Sequence, residues 1–296
     1  MTELRTPANG IEIAYELLGD PAGEPLVLVM GLGMQMIAWP DDLCAALGER
    51  GFRVVRFDNR DVGRSTWIEG GPVPDVMAAA FGADTSTAAY TLSDMAADTA
   101  GLLDALELDS AHLAGASMGG MIVQALAIEH PERVRSLTSI MSTTGDRAVG
   151  QPSPAALPAL LTPPPPDPAA YPDWAVSMHA IIGSPGFETD TGEIRAMAAR
   201  SLERGSNPLG VARQLVGILA SGDRTAALGG VSVPAAVIHG SSDPLIDPSG
   251  GRATAAAIPG AELVEIEGMG HDLPRGAWPR IVDTIAANAA RARAAA

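Results

Sequence analysis

The run Gly115-Ala116-Ser117-Met118-Gly119-Gly120 follows a short apolar segment and opens a helix-like one. A serine on so sharp a strand-to-helix turn needs small neighbours two positions before and two after, because the backbone is crowded there. This is the G-x-S-x-G nucleophile elbow in the context that defines it. The turn sets Ser117 at a helix N-terminus, whose free N–H groups favour developing negative charge. A serine hydroxyl attacks poorly unless a base takes its proton, and the base needs a carboxylate to orient it. Asp243, in Gly240-Ser241-Ser242-Asp243-Pro244, and His271, in Gly268-Met269-Gly270-His271-Asp272, supply both in the order Ser, Asp, His. Each follows a strand-like apolar run, so all three are expected at carboxyl ends of strands along one sheet edge. The chemistry of such a set is acyl transfer through a covalent serine intermediate.

An oxyanion formed at Ser117 needs two backbone N–H donors. One belongs to the residue after the nucleophile, Met118; the other lies in Met30-Gly31-Leu32-Gly33-Met34 and is assigned, to within one residue, to Leu32. Glycines on both sides of Leu32 let that backbone approach a substrate oxygen closely. Gly31, Gly33, Met34, Trp39 and Met269 sit near these turns in sequence and are candidates to line an apolar acyl pocket. His179 either joins that pocket or packs as a structural residue. His112 and His239 lie within apolar strands and read as packed residues, and His130 ends a helix before Pro131. Asp247 is a rival acid, but it stands further from the strand end than Asp243. Asp272 is expected to be solvated or to cap its turn. The segment from Asp58 to Ser65 reads as scaffold, with Asp58 and Arg60 placed for local ion pairs and turn hydrogen bonds.

Short apolar runs alternating with amphipathic ones predict an α/β fold with a mostly parallel sheet flanked by helices. Strands are expected at 11–18, 25–31, 52–58, 111–116, 134–141, 234–239 and 261–266, the first open to pairing in a hairpin. Helices are expected at 38–50, 93–106, 119–130, 249–258 and 279–292, with Ser93 as the cap of the second. From 142 to 228 the alternation stops. A proline-rich stretch, 151–168, reads as a stiff connector without helix, and helical periodicity resumes at 173–182, 192–204 and 208–220. The chain therefore divides into a core, 1–141 with 229–296, and a helical insertion, 142–228. The tail from 291 to 296 is expected to fray.

Composition narrows the function. With 296 residues, 47% of them hydrophobic and 18% charged, the chain can bury a full core. All 19 basic residues are arginine, which excludes Schiff-base and lysine-nucleophile chemistry. A net charge of −16 with no arginine cluster argues against nucleic acid as partner. One cysteine, Cys44, permits neither an internal disulfide nor a cysteine metal cage. No apolar run reaches the length of a membrane span, and the N-terminus has no signal-peptide core, so no membrane partner and a cytoplasmic location are expected. A monomer or homodimer fits equally.

The elbow at Gly115 to Gly119, the Asp58 to Ser65 segment, Gly240 to Pro244 and Gly268 to Asp272 together resemble the serine α/β-hydrolase superfamily over essentially the whole chain. Val29-Met30-Gly31, then Trp39-Pro40 and Asp58 to Thr66, with the Gly-Met-Gly-His turn at Gly268, resemble the aclacinomycin methylesterase group. The resemblance implies Ser117 as nucleophile, His271 as base, Asp243 as orienting acid, Leu32 and Met118 as oxyanion donors, and a helical cap formed by the insertion. It implies a carboxylic ester hydrolase acting on a small to medium apolar ester, a methyl ester among the options, with no metal or organic cofactor. Leu32 departs from that group, which has glycine there. A proline iminopeptidase, a perhydrolase and a carbon–carbon bond hydrolase use the same triad and stay open, as does a non-catalytic ligand receptor on the same fold.

Overall fold

In the computed structural model, which describes residues 2–82 and 84–295, the order of the chain is as follows. The first half runs β1 (Leu4–Ala8), β2 (Ile11–Leu18), β3 (Glu24–Val29), α1 (Asp41–Glu49), β4 (Phe52–Phe57), α2 (Val76–Gly82), α3 (Leu92–Ala105), β5 (Ala111–Ala116), α4 (Met118–Glu129) and β6 (Val134–Ile140). Then come α5 (Leu157–Leu161), α6 (Tyr171–Ile182), α7 (Thr191–Arg204), α8 (Pro208–Ala220) and α9 (Thr225–Leu228). The chain closes with β7 (Ala235–Gly240), α10 (Ser249–Ala257), β8 (Glu262–Ile266) and α11 (Trp278–Ala295).

Eight strands form one sheet in the order β1-β2-β4-β3-β5-β6-β7-β8. β1 pairs antiparallel with β2 and β2 antiparallel with β4; every later pairing is parallel. The central strands β3 and β5 are covered on both faces, with all six residues of β5 buried, whereas the edge strand β8 is mostly exposed. On one face, α3 and α4 bury Leu102, Leu103, Ile122 and Leu126 against Val27, Val29 and Leu113. On the other, α1 and α11 bury Leu43, Leu47, Ile281 and Ile285 against Leu26, Leu28 and Val54. β3 lies between β4 and β5, so the chain winds away from it in both directions. The crevice at the carboxyl ends of β3 and β5 is therefore the topological switch point, where open α/β sheets bind ligands.

The structure corrects several local expectations. A strand not expected from the sequence, β1, pairs with β2 across Asn9 and Gly10, both at positive φ (47° and 78°), so 11–18 is one arm of an Asn-Gly hairpin. The cap of α3 is Thr91, two residues before Ser93, with its N–H donating to the Asp94 carboxylate at 2.8 Å. Within the proline-rich connector, α5 forms a single helical turn that starts beside Pro158, where the missing N–H costs nothing. The C-terminal segment is helical to Ala295, where Arg291 donates to the carbonyls of Ala235 and Gly260 and Arg293 pairs with Glu24; Ala296 lies outside the described residues.

Between β6 and β7, the helices attach unequally. Arg204, at the end of α7, pairs with Asp58 (2.5 Å) and Glu3. On α8, Gln214 accepts the Gly33 N–H and donates to the Arg60 carbonyl, 2.8 Å each. α9, grouped with the insertion by sequence, packs on α4 and α10 and buries Leu228 completely in the core. No described residue of α6 is fully buried.

Candidate active site

β5 ends at Ala116 and α4 begins at Met118, so Ser117 alone makes the turn, at φ 56° and ψ −120°. A non-glycine residue there stores about 1–3 kcal/mol of strain and must be held by its surroundings. Its N–H donates to the Ile140 carbonyl at 2.9 Å, and its carbonyl accepts the Ser142 hydroxyl at 2.9 Å. The flanking glycines are required by contact: a Cβ on Gly115 would lie 2.1 Å from the Gly119 carbonyl oxygen, and one on Gly119 would lie 2.0 Å from that of Val29.

The structure brings Ser117, His271 and Asp243 together. Ser117 Oγ lies 2.9 Å from His271 Nε2, and His271 Nδ1 lies 2.7 Å from Asp243 Oδ2. The second carboxylate oxygen of Asp243 accepts the N–H groups of Leu245 and Ile246 at 2.9 Å each. Burial opposes ionisation of Asp243. The adjacent His271, hydrogen bonds from His239 and His271, and the Ile246 N–H outweigh it and hold the carboxyl well below the usual carboxylate range. Such a chain can take a proton from a serine hydroxyl and stabilise the imidazolium that forms. The rival Asp247 is exposed and receives the Ser249 N–H at the start of α10, away from His271.

Two N–H groups near Ser117 have no acceptor assigned among the described residues. Met118 opens α4, so its N–H has no intrahelical acceptor. In the loop after β3, the Gly33 N–H is taken by Gln214 and that of Met34 by the Gly31 carbonyl at 3.2 Å. Among the described residues the Leu32 N–H has no assigned acceptor. Gly31 lets this loop close on the serine, since a Cβ there would lie 3.0 Å from Ser117 Cβ. The Asp58 segment acts on the loop from below: Asp58 Oδ1 accepts the Met36 N–H at 2.7 Å, and Asn59 donates to the Met30 carbonyl at 2.9 Å. Arg60 forms a two-pronged pair with the buried Asp98, at 2.6 and 2.7 Å.

The remaining candidates divide by burial. Met34 is 39% exposed. Trp39 and Met269 are fully buried, packed with side chains of α1 and α11 in the core on that face of the sheet. His179, on α6, holds its Nε2 3.6 Å from Asp272 Oδ2. Asp272 is neither solvated nor capping: its side chain is 17% exposed, it accepts the Ser184 hydroxyl, and burial pushes its carboxyl above the ordinary range. Ser184 carried no motif that sequence reasoning could have used. Among the described residues, no group of three or more His, Cys, Asp or Glu is arranged to hold a metal ion. No described helix is long and apolar enough to cross a membrane.

The α/β-hydrolase-fold family model matches residues 24–174. Rhodomycin D methylesterase of Streptomyces peucetius is 30% identical over 295 residues, covering 92% of this chain and 93% of that protein. Among solved structures, the enol-lactonase from Burkholderia xenovorans LB400 has a TM-score of 0.72 at 26% identity, covering 96% of this chain and 99% of that one. A thermophilic esterase from Thermogutta terrifontis matches the fold with a TM-score of 0.72 at 23% identity, over 99% of both chains. This chain belongs to the α/β-hydrolase fold family. It is a hydrolase with methylesterase homologues.

Proposed function

We propose that the protein is a serine carboxylesterase, and the hydrogen-bonded run Ser117–His271–Asp243 is the observation that carries the reading. His271 removes the Ser117 proton as Oγ attacks an ester carbonyl. The tetrahedral oxyanion rests on the N–H groups of Leu32 and Met118. His271 then protonates the departing alcohol, and water activated by the same imidazole releases the acid and restores Ser117. Asp243, kept ionised, holds the imidazole in the tautomer with its proton on Nδ1.

The helices α5 to α8 act as a cap over this crevice. The apolar character of α6, without a fully buried residue, suits an adaptable acyl chamber. By its name, the Streptomyces relative is a methylesterase, so a methyl ester of an apolar acid is the substrate class to try beside simple esters. Cys44 is a buried free thiol, so folding does not depend on an oxidising compartment, and we place the enzyme in the cytoplasm.

The test is hydrolysis of p-nitrophenyl acetate, butyrate, octanoate and palmitate, and of bulky methyl esters, by the native protein and Ser117→Ala. Native turnover is expected, with kcat in the variant reduced about 10⁴-fold or more. Undiminished activity in Ser117→Ala would overturn the nucleophile assignment. A folded native protein that turns over none of these esters would favour the receptor reading instead.

A further inference from the structure

Ser117, Asp243 and His271 all belong to strand-end turns, yet the turn carrying His271 is gripped by the segment that follows α6. The His271 N–H donates to the Ile182 carbonyl at 2.7 Å, and the Gly186 N–H donates to the Gly268 carbonyl at 2.9 Å. Between them, the Gly270 N–H donates to Ser184 Oγ at 2.8 Å, while the Ser184 hydroxyl donates to Asp272 Oδ1. One hydroxyl on a residue only 5% exposed thus holds the neighbours on both sides of His271. The crossing is a close backbone contact that glycines make possible. A Cβ on Gly186 would lie 2.7 Å from Gly268 Cα, and one on Gly270 would lie 2.3 Å from the Gly183 carbonyl oxygen. His179, one turn earlier on α6, adds a longer tie to Asp272 at 3.6 Å.

Asp243 orients the imidazole ring but does not fix the backbone from which the ring hangs. A proton relay works only while Nε2 stays within hydrogen-bond reach of Oγ, and displacements of about 1 Å cost roughly 100-fold in rate. We propose that Ser184 is a positioning residue for the base: by holding Gly270 and Asp272, it keeps His271 in line with Ser117 and ties the chemistry to the seating of the cap. This rests on the triad reading above. The cap then contributes to kcat as well as to substrate binding, although it supplies no group to the relay.

The experiment compares Ser184→Ala and Ser184→Thr with the native full-length chain on p-nitrophenyl acetate, a substrate too small to use much of the cap. In Ser184→Ala, kcat is expected to fall about 10- to 100-fold with KM within about twofold, and Ser184→Thr, which keeps the hydroxyl, to recover most of it. By proton NMR, the far-downfield imidazole signal of the His271–Asp243 hydrogen bond should shift or broaden in Ser184→Ala and return in Ser184→Thr. A kcat within about twofold of native in Ser184→Ala, per folded site counted by fluorophosphonate titration, overturns the proposal. So does a loss that tracks only the folded fraction. If Ser184→Ala does not fold, Ser184→Cys, of similar size but with weaker hydrogen bonds, carries the same expectations. Ser117→Ala separates the two readings. Inactive Ser117→Ala with native-like Ser184→Ala removes the positioning role alone, whereas active Ser117→Ala removes the triad and the positioning role together.

Discussion

The strand-end turns and helix α6 are built on different terms. Gly115, Gly119 and Asp243 are enclosed by backbone atoms and hydrogen bonds on nearly every side, and Ser117 keeps a strained backbone because its neighbours leave no other conformation. α6 is rich in apolar residues, yet none of its described residues is fully buried; it packs along α7, with Asp173 paired to Arg195 at 2.8 Å, and its C-terminal end holds the His271 turn through Ile182 and the loop to Gly186. α7 and α8 stand between these extremes, tied down by Arg204 to Asp58 and by Gln214 to the Gly33 and Arg60 backbone. Chemistry needs positions held within a fraction of an ångström, and over-determined packing supplies them. A surface that must accept different acyl groups gains from loosely packed apolar side chains. The difference also sorts two carboxylate–imidazole pairs one residue apart: Asp243–His271, short and rich in donors, and Asp272–His179, longer and shared with a serine.

The sharpest way to break this contrast is at its most rigid point. Asp243→Asn should leave the fold intact and lower kcat on p-nitrophenyl butyrate about 10⁴-fold, because the imidazole loses its tautomer and its partner; a loss below about tenfold would place the orienting acid elsewhere. Gly119→Ala drives a methyl group into the Val29 carbonyl, and chemical denaturation should show a loss of about 3 kcal/mol or a failure to fold. Native-like stability there would mean the elbow has slack that the geometry denies.

His112, buried on β5 with Nδ1 2.8 Å from the Ser136 hydroxyl, is pushed down by burial to about 4. A folded value below the unfolded one means that the neutral ring stabilises the fold above about pH 6.5. That contribution, up to about 3 kcal/mol, is lost as pH falls through the folded value. Melting temperature measured from pH 7.5 to 4 should therefore fall less steeply in His112→Gln than in the native chain. The smallest effect belongs to α6: Met178→Ala should cost under about 1 kcal/mol, since little apolar area is lost from a half-buried site. It should still raise KM for the octanoate ester more than for the acetate. A larger stability loss would erase the distinction between α6 and the turns.

Much of the sheet was legible because its signals are local. The continuous apolar runs mark strands buried on both faces, and the order of Ser117, Asp243 and His271 along the chain matches three strand ends. β1 was not read from the sequence: 11–18 stood as a strand open to hairpin pairing, but the mixed composition of Leu4–Ala8 hid the partner strand. Thr91 displaced Ser93 as a cap because Asp94 stands three residues after Thr91, the spacing at which a carboxylate reaches back to the cap N–H.

What the sequence determined by itself is the set of residues with the right chemistry and the strand-to-helix turn that strains Ser117, since a turn flanked by glycines is dictated by neighbours in the chain. Tertiary structure decided which residues near those turns face the crevice and which, like Trp39 and Met269, fill the layer beneath. It also decided that Ser184, 87 positions before His271 in sequence, would sit against the turn that carries it. Contacts between segments so far apart depend on how α6 crosses the sheet edge, and no periodicity or motif along the chain encodes that crossing.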